Sequence, residues 1–267
     1  SDFLYHMIVL MVEKGLNWED IVKELESITD SDLEKGIYLS RKEIVDMLKR
    51  IQQFLFPEYY TYTESVDISV LHTLLTKYMP EETAMCFLKS LPSLKKLVLS
   101  DLQAIYDGDP AAKSKREVLI CYPGFYAIFI YRIAHALHEL KVDLIPRILT
   151  EYAHEKTGID IHPGATIQHS FCIDHGTGIV IGETATIGHH VKLYQGVTIG
   201  AKSFELDEFG NPVKSGKRHP DIGDYVVIYA NATILGGTTK VGNHCVVGGN
   251  VWLTHSMKDY ERILNQQ

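Results

Sequence analysis

Residues 161–199 read IHPGATIQHSFCIDHGTGIVIGETATIGHHVKLYQGVTI, and in this stretch a branched aliphatic residue returns every six positions. After an interruption the repeat resumes at Ile222 and runs to Leu253, with a two-residue slip before Ile181 and a one-residue slip before Val241. A period of six fits neither the 3.6-residue period of a packed helix nor the two-residue period of a half-buried strand. The aliphatic column consists of Ile161, Ile167, Ile173, Ile179, Ile181, Ile187, Leu193, Ile199, Ile222, Ile228, Ile234, Val241, Val247 and Leu253.

A second column of small or β-branched residues stands four positions after most of these aliphatics, and together the columns predict a parallel β-helix. Its members are Ala165, Thr177, Ala185, Val191, Val197, Val226, Ala232, Thr238, Cys245 and Val251. Each hexapeptide forms a short strand and a turn, three complete a triangular coil, and stacked coils bury the aliphatic column. A β-sandwich is the alternative, but its strands recur at about 8–12 residues.

Length and composition restrict the function classes. The 267 residues, 45% of them hydrophobic, suffice for a helical domain and a solenoid. A net charge of −8 argues against nucleic acid or an anionic membrane as the main partner. The first thirty residues do not resemble a signal peptide, so a cytoplasmic location is predicted. The four cysteines lack C-x-x-C spacing, and we expect small core residues rather than disulfides or zinc–thiolate ligands.

The chain before the repeat is predicted to be helical and to cover the open end of the solenoid. Ser40 and Glu43 form a capping box, Pro57 ends that helix, and Gly158 ends the last one. The other predicted helices are Phe3–Lys14, Trp18–Ile28, Ile68–Met79, Glu81–Ser90, Leu94–Tyr106, Gly124–Leu140 and Leu144–Glu155. The predicted organisation is an α+β chain with a helical domain (1–158), a β-helix domain (159–255) and a tail (256–267).

The repeat is interrupted once, and residues 201–221 are predicted to form a loop extruded from a coil corner. Loops of this length inside compact domains usually have a function or are disordered. Because the loop closes on Arg218 and His219, the sequence favours a function.

Polar clusters at Asp160, Asp174-His175 and Arg218-His219 replace residues that a solenoid alone would not require. With coils of about 18 residues, Asp160 is predicted to lie below position 178, half a hexapeptide from His175. A carboxylate beside an imidazole orients the ring and favours its protonated form, as a general base requires. The alternative is a surface histidine near a surface aspartate.

Four motifs resemble the serine acetyltransferases of the hexapeptide-repeat acyltransferase superfamily: IDIHPGA (159–165), IDHGTGIVIGETA (173–185), QGVTIG (195–200) and KRHPDIGD (217–224). The resemblance extends to about Gly249 and includes Asp109-Pro110-Ala111 and the helix at Gly124–Leu137. It implies a left-handed β-helix. It also implies transfer of acetyl from acetyl-CoA to the hydroxyl of L-serine, giving O-acetyl-L-serine for cysteine biosynthesis.

The resemblance also implies roles for individual residues. His175 is expected to be the general base and Asp160 its orienting partner. Asp109 and Asp174 match residues that hold the substrate ammonium, while Arg218 and His219 match residues near its carboxylate. Coenzyme A is expected to contact the backbone of the coils at Gly196, Gly200, Ala230, Gly236 and Gly237. No metal and no permanently bound cofactor are expected, since acetyl-CoA is a co-substrate.

The same resemblance implies a homotrimer or a dimer of trimers, with the site between neighbouring solenoids. Family members dock their terminal isoleucine into cysteine synthase, the O-acetylserine sulfhydrylase. The tail KDYERILNQQ lacks that isoleucine, so the sequence departs from the family in the feature that makes this complex.

Three alternatives follow from the same residues. A carbonic-anhydrase-type zinc enzyme is suggested by His162, His169, His175, His189 and His190, since three imidazoles suit catalytic zinc. Another hydroxyl acceptor, such as homoserine or a sugar, is the second alternative. A trimeric scaffold with a degenerate site is the third.

Overall fold

A computed structural model of the chain describes residues 19, 23, 39–61, 65–204, 206–213 and 215–265. The helices between residue 39 and the solenoid are α1 (Arg41–Leu55), α2 (Ile68–Leu75), α3 (Glu81–Gly108), α4 (Lys115–Cys121), α5 (Pro123–Glu139) and α6 (Ile145–Thr157). The predicted helix Phe3–Lys14 lies outside the described residues. Within Trp18–Ile28 only Glu19 and Lys23 are described, and both are helical.

The helix ends confirm the predicted stop at Gly158 and the Ser40 half of the predicted capping box, while the Glu43 carboxylate accepts a hydrogen bond from the Tyr78 hydroxyl at 3.0 Å. The Ser40 hydroxyl accepts a hydrogen bond from the backbone N–H of Glu43 at the start of α1. Gly158 ends α6 with a left-handed φ of 69°, which glycine adopts without a side-chain clash. Helix α2 is shorter than predicted, because turns replace helix between Thr76 and Met79.

Helix α3 corrects the prediction of two separate helices, since it runs through Pro92 without a break. An internal proline costs a helix about 3 kcal/mol. Burial of each large apolar side chain contributes about 1.5–3 kcal/mol, so a continuous apolar stripe on both sides of Pro92 outweighs that cost. The stripe consists of Ala84, Phe87, Leu88, Leu91, Leu94, Val98, Leu102 and Ile105. Helix α4, capped by Ser114, was not predicted.

The solenoid is a left-handed parallel β-helix of about five turns with three faces. Sheet A contains β1 (Asp160–Ile161), β4 (Val180–Ile181), β7 (Thr198–Gly200), β10 (Thr233–Leu235) and β13 (Trp252–Leu253). Sheet B contains β2 (Thr166–Ile167), β5 (Thr186–Ile187), β8 (Asp221–Ile222) and β11 (Lys240–Val241). Sheet C contains β3 (Cys172–Asp174), β6 (Lys192–Tyr194), β9 (Val227–Ile228), β12 (Val246–Val247) and β14 (Arg262–Ile263). The chain visits the sheets in the order A, B, C.

The register confirms the aliphatic column but corrects its first coil. Asp160 pairs with Val180 rather than lying below position 178, because the first coil is 20 residues long. The extra residues lie in a turn after β3 where His175 and Gly176 have φ of 58° and 102°. As a result Ile179 occupies the corner place predicted for Thr177, and it is fully buried.

Two other positions of the repeat are corrected near its end. Thr239, 2% exposed, takes the interior place predicted for Thr238, because the one-residue slip falls before that position. The last coil also continues into the predicted tail, since Met257 bridges to Val241 and β14 pairs with β12. Met257 and Ile263 keep the six-residue spacing, so the repeat does not stop at 255.

Helix α5 covers the open edge of the first coil, whose backbone carbonyls have no preceding coil to bond. The Tyr131 hydroxyl donates to the carbonyl of Ala165, and the His135 ring lies 2.8 Å from the carbonyl oxygen of Pro163. Arg132 donates to the carbonyls of Ile167 and Gln168. Buried backbone acceptors need donors, so these three side chains explain how the solenoid can begin here.

A buried ion pair supports the same contact. The Arg132 guanidinium meets the Asp101 carboxylate of α3 at 2.9 and 3.1 Å, and both side chains are at most 1% exposed. Asp101 also accepts the backbone N–H of Phe171 at 2.8 Å. Residues Ser40–Gln267 form one compact unit, whereas the boundary predicted at 158 stays a prediction.

The prediction that the cysteines are core residues is confirmed for two of the four. All four are free thiols; Cys172 and Cys245 are buried in the solenoid, as expected. Cys86 and Cys121 are exposed, so the prediction of core residues is wrong for them. Each lies on the outer side of a helix that precedes the solenoid, where the six-residue repeat gives no information about burial.

Within the described residues, no single helix is long and apolar enough to cross a membrane. Among the helices that the structure describes, one bent pair, α4–α5, with an angle of 74°, reaches that length and apolarity together, and most residues of α5 are buried.

Candidate active site

Asp174 and His175 stand at the first corner between sheets C and A. Asp174 ends β3, and the left-handed backbone of His175 turns its imidazole outward, leaving that side chain 76% exposed. His175 Nε2 lies 3.8 Å from Asp174 Oδ1. The two-residue insertion therefore presents an accessible base beside a carboxylate.

Asp109 lies near the same corner, directly after α3. Its carboxylate accepts hydrogen bonds from the Tyr122 hydroxyl at 2.6 Å and the Ala111 backbone N–H at 2.8 Å. These bonds lower the pKa of Asp109, with the Tyr122 bond as the largest cause and the nearby charges of Lys192 and His175 assisting. The same bond raises the pKa of Tyr122 to about 12. We call Asp109, Asp174 and His175 the acidic half-site.

Asp160 does not join this group in the structure. Its carboxylate lies with Glu151 and His154 of α6, their potential ligand atoms all within 4.8 Å of one another. In the part of the chain that the structure describes, no hydrogen bond or ion pair joins Asp160 to His175. The longer first coil is the reason, because it moves the corner containing His175 away from the position expected above Asp160.

Arg218 and His219 lie together at the corner between sheets A and B, and we call them the basic half-site. The Arg218 guanidinium pairs with the Glu183 carboxylate. His219 Nδ1 accepts the backbone N–H of Thr184 at 3.1 Å, so Nε2 carries the hydrogen. The ring packs on Gly182, where an added Cβ would stand 2.0 Å from Nε2. The motif Gly182-Glu183-Thr184 thus holds both residues of the basic half-site: Glu183 pairs with Arg218, and Gly182 and Thr184 contact His219.

His219 is held in its neutral form. Burial is the main reason why its pKa falls from 6.5 to about 4, and the neighbouring positive charge of Arg218 adds to the effect. At neutral pH the ring therefore offers Nε2–H as a hydrogen-bond donor and adds no charge.

This shift predicts a pH dependence of stability. Between pH 6.5 and 4 the unfolded chain binds a proton at His219 that the folded chain excludes, so stability falls as the pH decreases through this window. The full loss is about 3 kcal/mol at 1.36 kcal/mol per pKa unit. Urea titrations at pH 7 and 4.5 should show a smaller loss for His219→Gln than for the wild type. The exposed His255→Gln control should follow the wild type; parallel curves for all three proteins would contradict this assignment.

A cleft of 450 Å³ lies between the extruded loop and the coils, lined by Lys202, Phe204, Lys217, Arg218, Gly236, Gly237 and five neighbours. Two residues predicted to bind coenzyme A, Gly236 and Gly237, line it. An added Cβ at Gly237 would stand 2.4 Å from the carbonyl oxygen of Lys217, so the returning loop needs a glycine there. Gly200 accepts the backbone N–H of Gly236 at 3.0 Å.

The other two predicted coenzyme A residues lie elsewhere. Gly196 and Ala230 belong to the corner between sheets C and A, above the turn of His175. Gly196 has a φ of 72°, and an added Cβ would stand 2.1 Å from Asn231 Oδ1. The five predicted residues therefore do not line one groove of a single chain.

The two half-sites lie at opposite ends of the strands of sheet A: the acidic half-site at the corner with sheet C, and the basic half-site at the corner with sheet B. The straight segment between the corners, residues 179–182, spans roughly 10 Å, or three steps of ~3.3 Å. A molecule as small as serine is too short to touch both half-sites of one chain.

The histidines of the zinc alternative occupy three different corners. His169, His189 and His190 lie between sheets B and C, whereas His162 and His175 lie at the other two corners. Within the described residues, the one group of three potential ligands that could hold a metal ion is Glu151, His154 and Asp160, which contains none of these five.

Comparison with known proteins agrees with this architecture. A family model described as "Serine acetyltransferase, N-terminal" matches residues 68–129. A plasmid-borne serine acetyltransferase of Synechococcus elongatus is 56% identical over 66% of this chain and 55% of its own length. The Bacillus subtilis serine acetyltransferase is 40% identical over 63% of this chain and 73% of its own length.

The chain belongs to the serine acetyltransferase family. Solved structures of the family support this. Entamoeba histolytica serine acetyltransferase 1, in complex with L-cysteine, superposes with a TM-score of 0.72 at 35% identity, over 89% of this chain and 93% of that one. The Neisseria gonorrhoeae serine acetyltransferase, in complex with serine, gives 0.61 at 29% identity, over 84% and 81%.

Membership of the serine acetyltransferase family confirms the resemblance stated from the motifs and the fold class. It goes against the zinc enzyme. Sequence reasoning missed four residues that shape the site: Tyr122, Glu183, Thr184 and Lys192. Glu183 and Thr184 stand inside a quoted motif, so their proximity to the basic half-site could have been sought there. Nothing in the sequence connects Tyr122 to Asp109.

Proposed function

We propose that this chain transfers the acetyl group of acetyl-CoA to the hydroxyl of L-serine, giving O-acetyl-L-serine and CoA, the first step of cysteine synthesis from serine. The observation that supports it most is the pair of half-sites. Two carboxylates suit an ammonium group, and a guanidinium with a neutral imidazole donor suits a carboxylate. An α-amino acid has both groups, whereas a sugar has neither.

His175 is the proposed general base. It takes the proton of the serine hydroxyl while that oxygen attacks the thioester carbonyl of acetyl-CoA, and the collapse of the tetrahedral intermediate releases the coenzyme as a thiolate that is then protonated. Asp174, 3.8 Å away, is the carboxylate beside His175 in the structure. Asp160 remains the proposed orienting partner, a role that requires His175 to turn toward it.

A complete site is proposed to form between chains. One chain supplies the acidic half-site and its neighbour the basic half-site, because a single chain holds them at opposite strand ends of sheet A. A homotrimer, or a dimer of trimers, brings the two kinds of corner from neighbouring chains together. Coenzyme A is proposed to run along the resulting groove, with the cleft beside Gly236 and Gly237 at one end. A complex with cysteine synthase and a cytoplasmic location stay predictions.

The direct test offers L-serine, L-homoserine and a sugar to the purified protein with acetyl-CoA and follows thiol release. Serine should give the highest kcat/KM, since homoserine places its hydroxyl one methylene farther from the base. Absence of a serine preference would overturn the specific assignment. Metal analysis of the same sample tests the zinc alternative, which requires a stoichiometric ion.

The substitution Arg218→Lys is expected to raise the KM for serine by about tenfold or more and to change that for acetyl-CoA by less than twofold. A guanidinium contacts a carboxylate at two points, which a single ammonium cannot reproduce. The alternative is that Arg218 only pins the loop, and its ion pair with Glu183 is the contact that could do so.

Steady-state kinetics of Glu183→Gln separate the two roles of Arg218. If Arg218 only fixes the loop through Glu183, both substitutions should change the two Michaelis constants alike. If Arg218 binds the serine carboxylate, Glu183→Gln should have the smaller effect on serine. Equal increases for serine and acetyl-CoA in Arg218→Lys would remove the substrate-binding role.

A further inference from the structure

Lys192 joins the two carboxylate-bearing segments of the acidic half-site. Its Nζ donates to Asp174 Oδ2 at 2.8 Å and to the carbonyl oxygen of Gly108 at 2.7 Å. The third side of the ammonium faces the ring of Tyr194, 4.5 Å from its centroid. Because an ammonium has three N–H groups, protein groups account for all of them. The side chain is 17% exposed, so this charge is a fixed part of the site.

The contact with Gly108 also fixes Asp109. Gly108 is the last residue of α3, where a cation meets the partial negative charge of the helix end. Asp109 follows directly, so Lys192 holds one carboxylate through the backbone and binds the other itself. Burial alone would lower the pKa of Lys192, but its hydrogen bond to Asp174 and its contact with Tyr194 raise it above the ordinary value.

With Lys192 counted, the net charge of the acidic half-site is opposite and equal to that of one ammonium group. Two carboxylates that face one small ligand repel each other when both are ionised. With the cation of Lys192 included, Asp109 and Asp174 leave a net charge of about −1. Since Lys192 occupies Oδ2 of Asp174, Oδ1 remains open on the side of His175.

We propose that Lys192 is a positioning residue for the acceptor: it holds Asp109 and Asp174 at the spacing that receives a single ammonium group, and so sets the preference for amino-acid acceptors. This inference rests on the proposed acetylation of serine. Lys192 does not itself touch the substrate, and its effect is exerted through the two carboxylates.

The substitution Lys192→Met is expected to raise the KM for serine by about tenfold or more, with less than a twofold change in the KM for acetyl-CoA. Lys192→Gln, which keeps a hydrogen-bond donor but no charge, should show the same selective increase and serves if the methionine variant folds poorly. Lys192→Arg should restore most of the affinity, because a guanidinium can also bond both Asp174 and Gly108. Lys258→Met, an exposed lysine of the last coil, should behave as the wild type.

A comparison of combined variants separates positioning from a general structural role. If Lys192 acts through the two carboxylates, Lys192→Met should add little to the effect on the KM for serine of Asp109→Asn combined with Asp174→Asn. Multiplicative effects, or a normal KM for serine in Lys192→Met and Lys192→Gln, would overturn the proposal and leave the acetyltransferase assignment in place. A wild-type protein that does not turn over serine would overturn both.

Discussion

Replacement of His175 by asparagine or alanine is expected to lower turnover by about 10²–10⁴-fold, the largest functional effect of any single substitution proposed for this chain. The serine hydroxyl is a poor nucleophile at neutral pH, so loss of the group that takes its proton slows the chemical step. The KM for acetyl-CoA should change little, because His175 is proposed to act on the serine hydroxyl.

The two His175 variants separate chemistry from folding. His175 has a left-handed φ of 58°, which asparagine tolerates better than alanine. His175→Asn should therefore keep the wild-type unfolding midpoint, whereas His175→Ala should lose about 1 kcal/mol, since histidine and asparagine are several-fold enriched in this conformation. Equal loss of turnover in both variants supports a chemical role. Turnover within tenfold of the wild type in His175→Asn would remove the general-base assignment.

The largest effect on stability is expected at the buried ion pair between α3 and α5. Arg132→Met should lower the free energy of unfolding by about 3–5 kcal/mol, because it leaves the Asp101 carboxylate buried without its counter-ion. The same change removes the donor to the edge carbonyls of Ile167 and Gln168, which no preceding coil can replace. Urea denaturation followed by circular dichroism measures the loss.

Two controls make this stability test specific. Arg147→Met breaks an exposed pair with Glu151, whose side chains are 43% and 41% exposed, and should cost less than about 1 kcal/mol. Replacing both buried partners, Arg132→Met with Asp101→Leu, should recover part of the loss because no unpaired charge remains. A loss in Arg132→Met no larger than in Arg147→Met would contradict the proposed role of the pair.

The six-residue period was sufficient to predict the solenoid because each inward aliphatic must face its counterpart in the next coil. Pairing of Ile161 with Ile181, and of Ile181 with Ile199, confirms this. The same rule located the extruded loop, since a hexapeptide corner can be lengthened without disturbing the column. Predicted caps at Ser40 and Gly158 were also confirmed, because caps depend on neighbours within about one helical turn.

Predictions that depended on exact register or on distant contacts were less accurate. The insertion after Asp174 could be seen as a slip, but only the structure shows that it lengthens the first coil and separates His175 from Asp160. The continuous helix through Pro92 was not predicted, because it too depends on contacts with distant parts of the chain. Local sequence marks a break there, whereas the apolar stripe that overrides it is buried against other elements.

The sequence by itself determined the β-helix, the family resemblance and the residues expected to bear chemistry, because repeats and motifs are local patterns. The tertiary structure alone decided how those residues are grouped. It brought Asp109 to Asp174 through the end of α3, placed Lys192 between them, and seated His219 on Gly182. These contacts join positions far apart in the chain, and hydrogen bonding, burial and charge at such contacts depend on packing that no period or motif encodes.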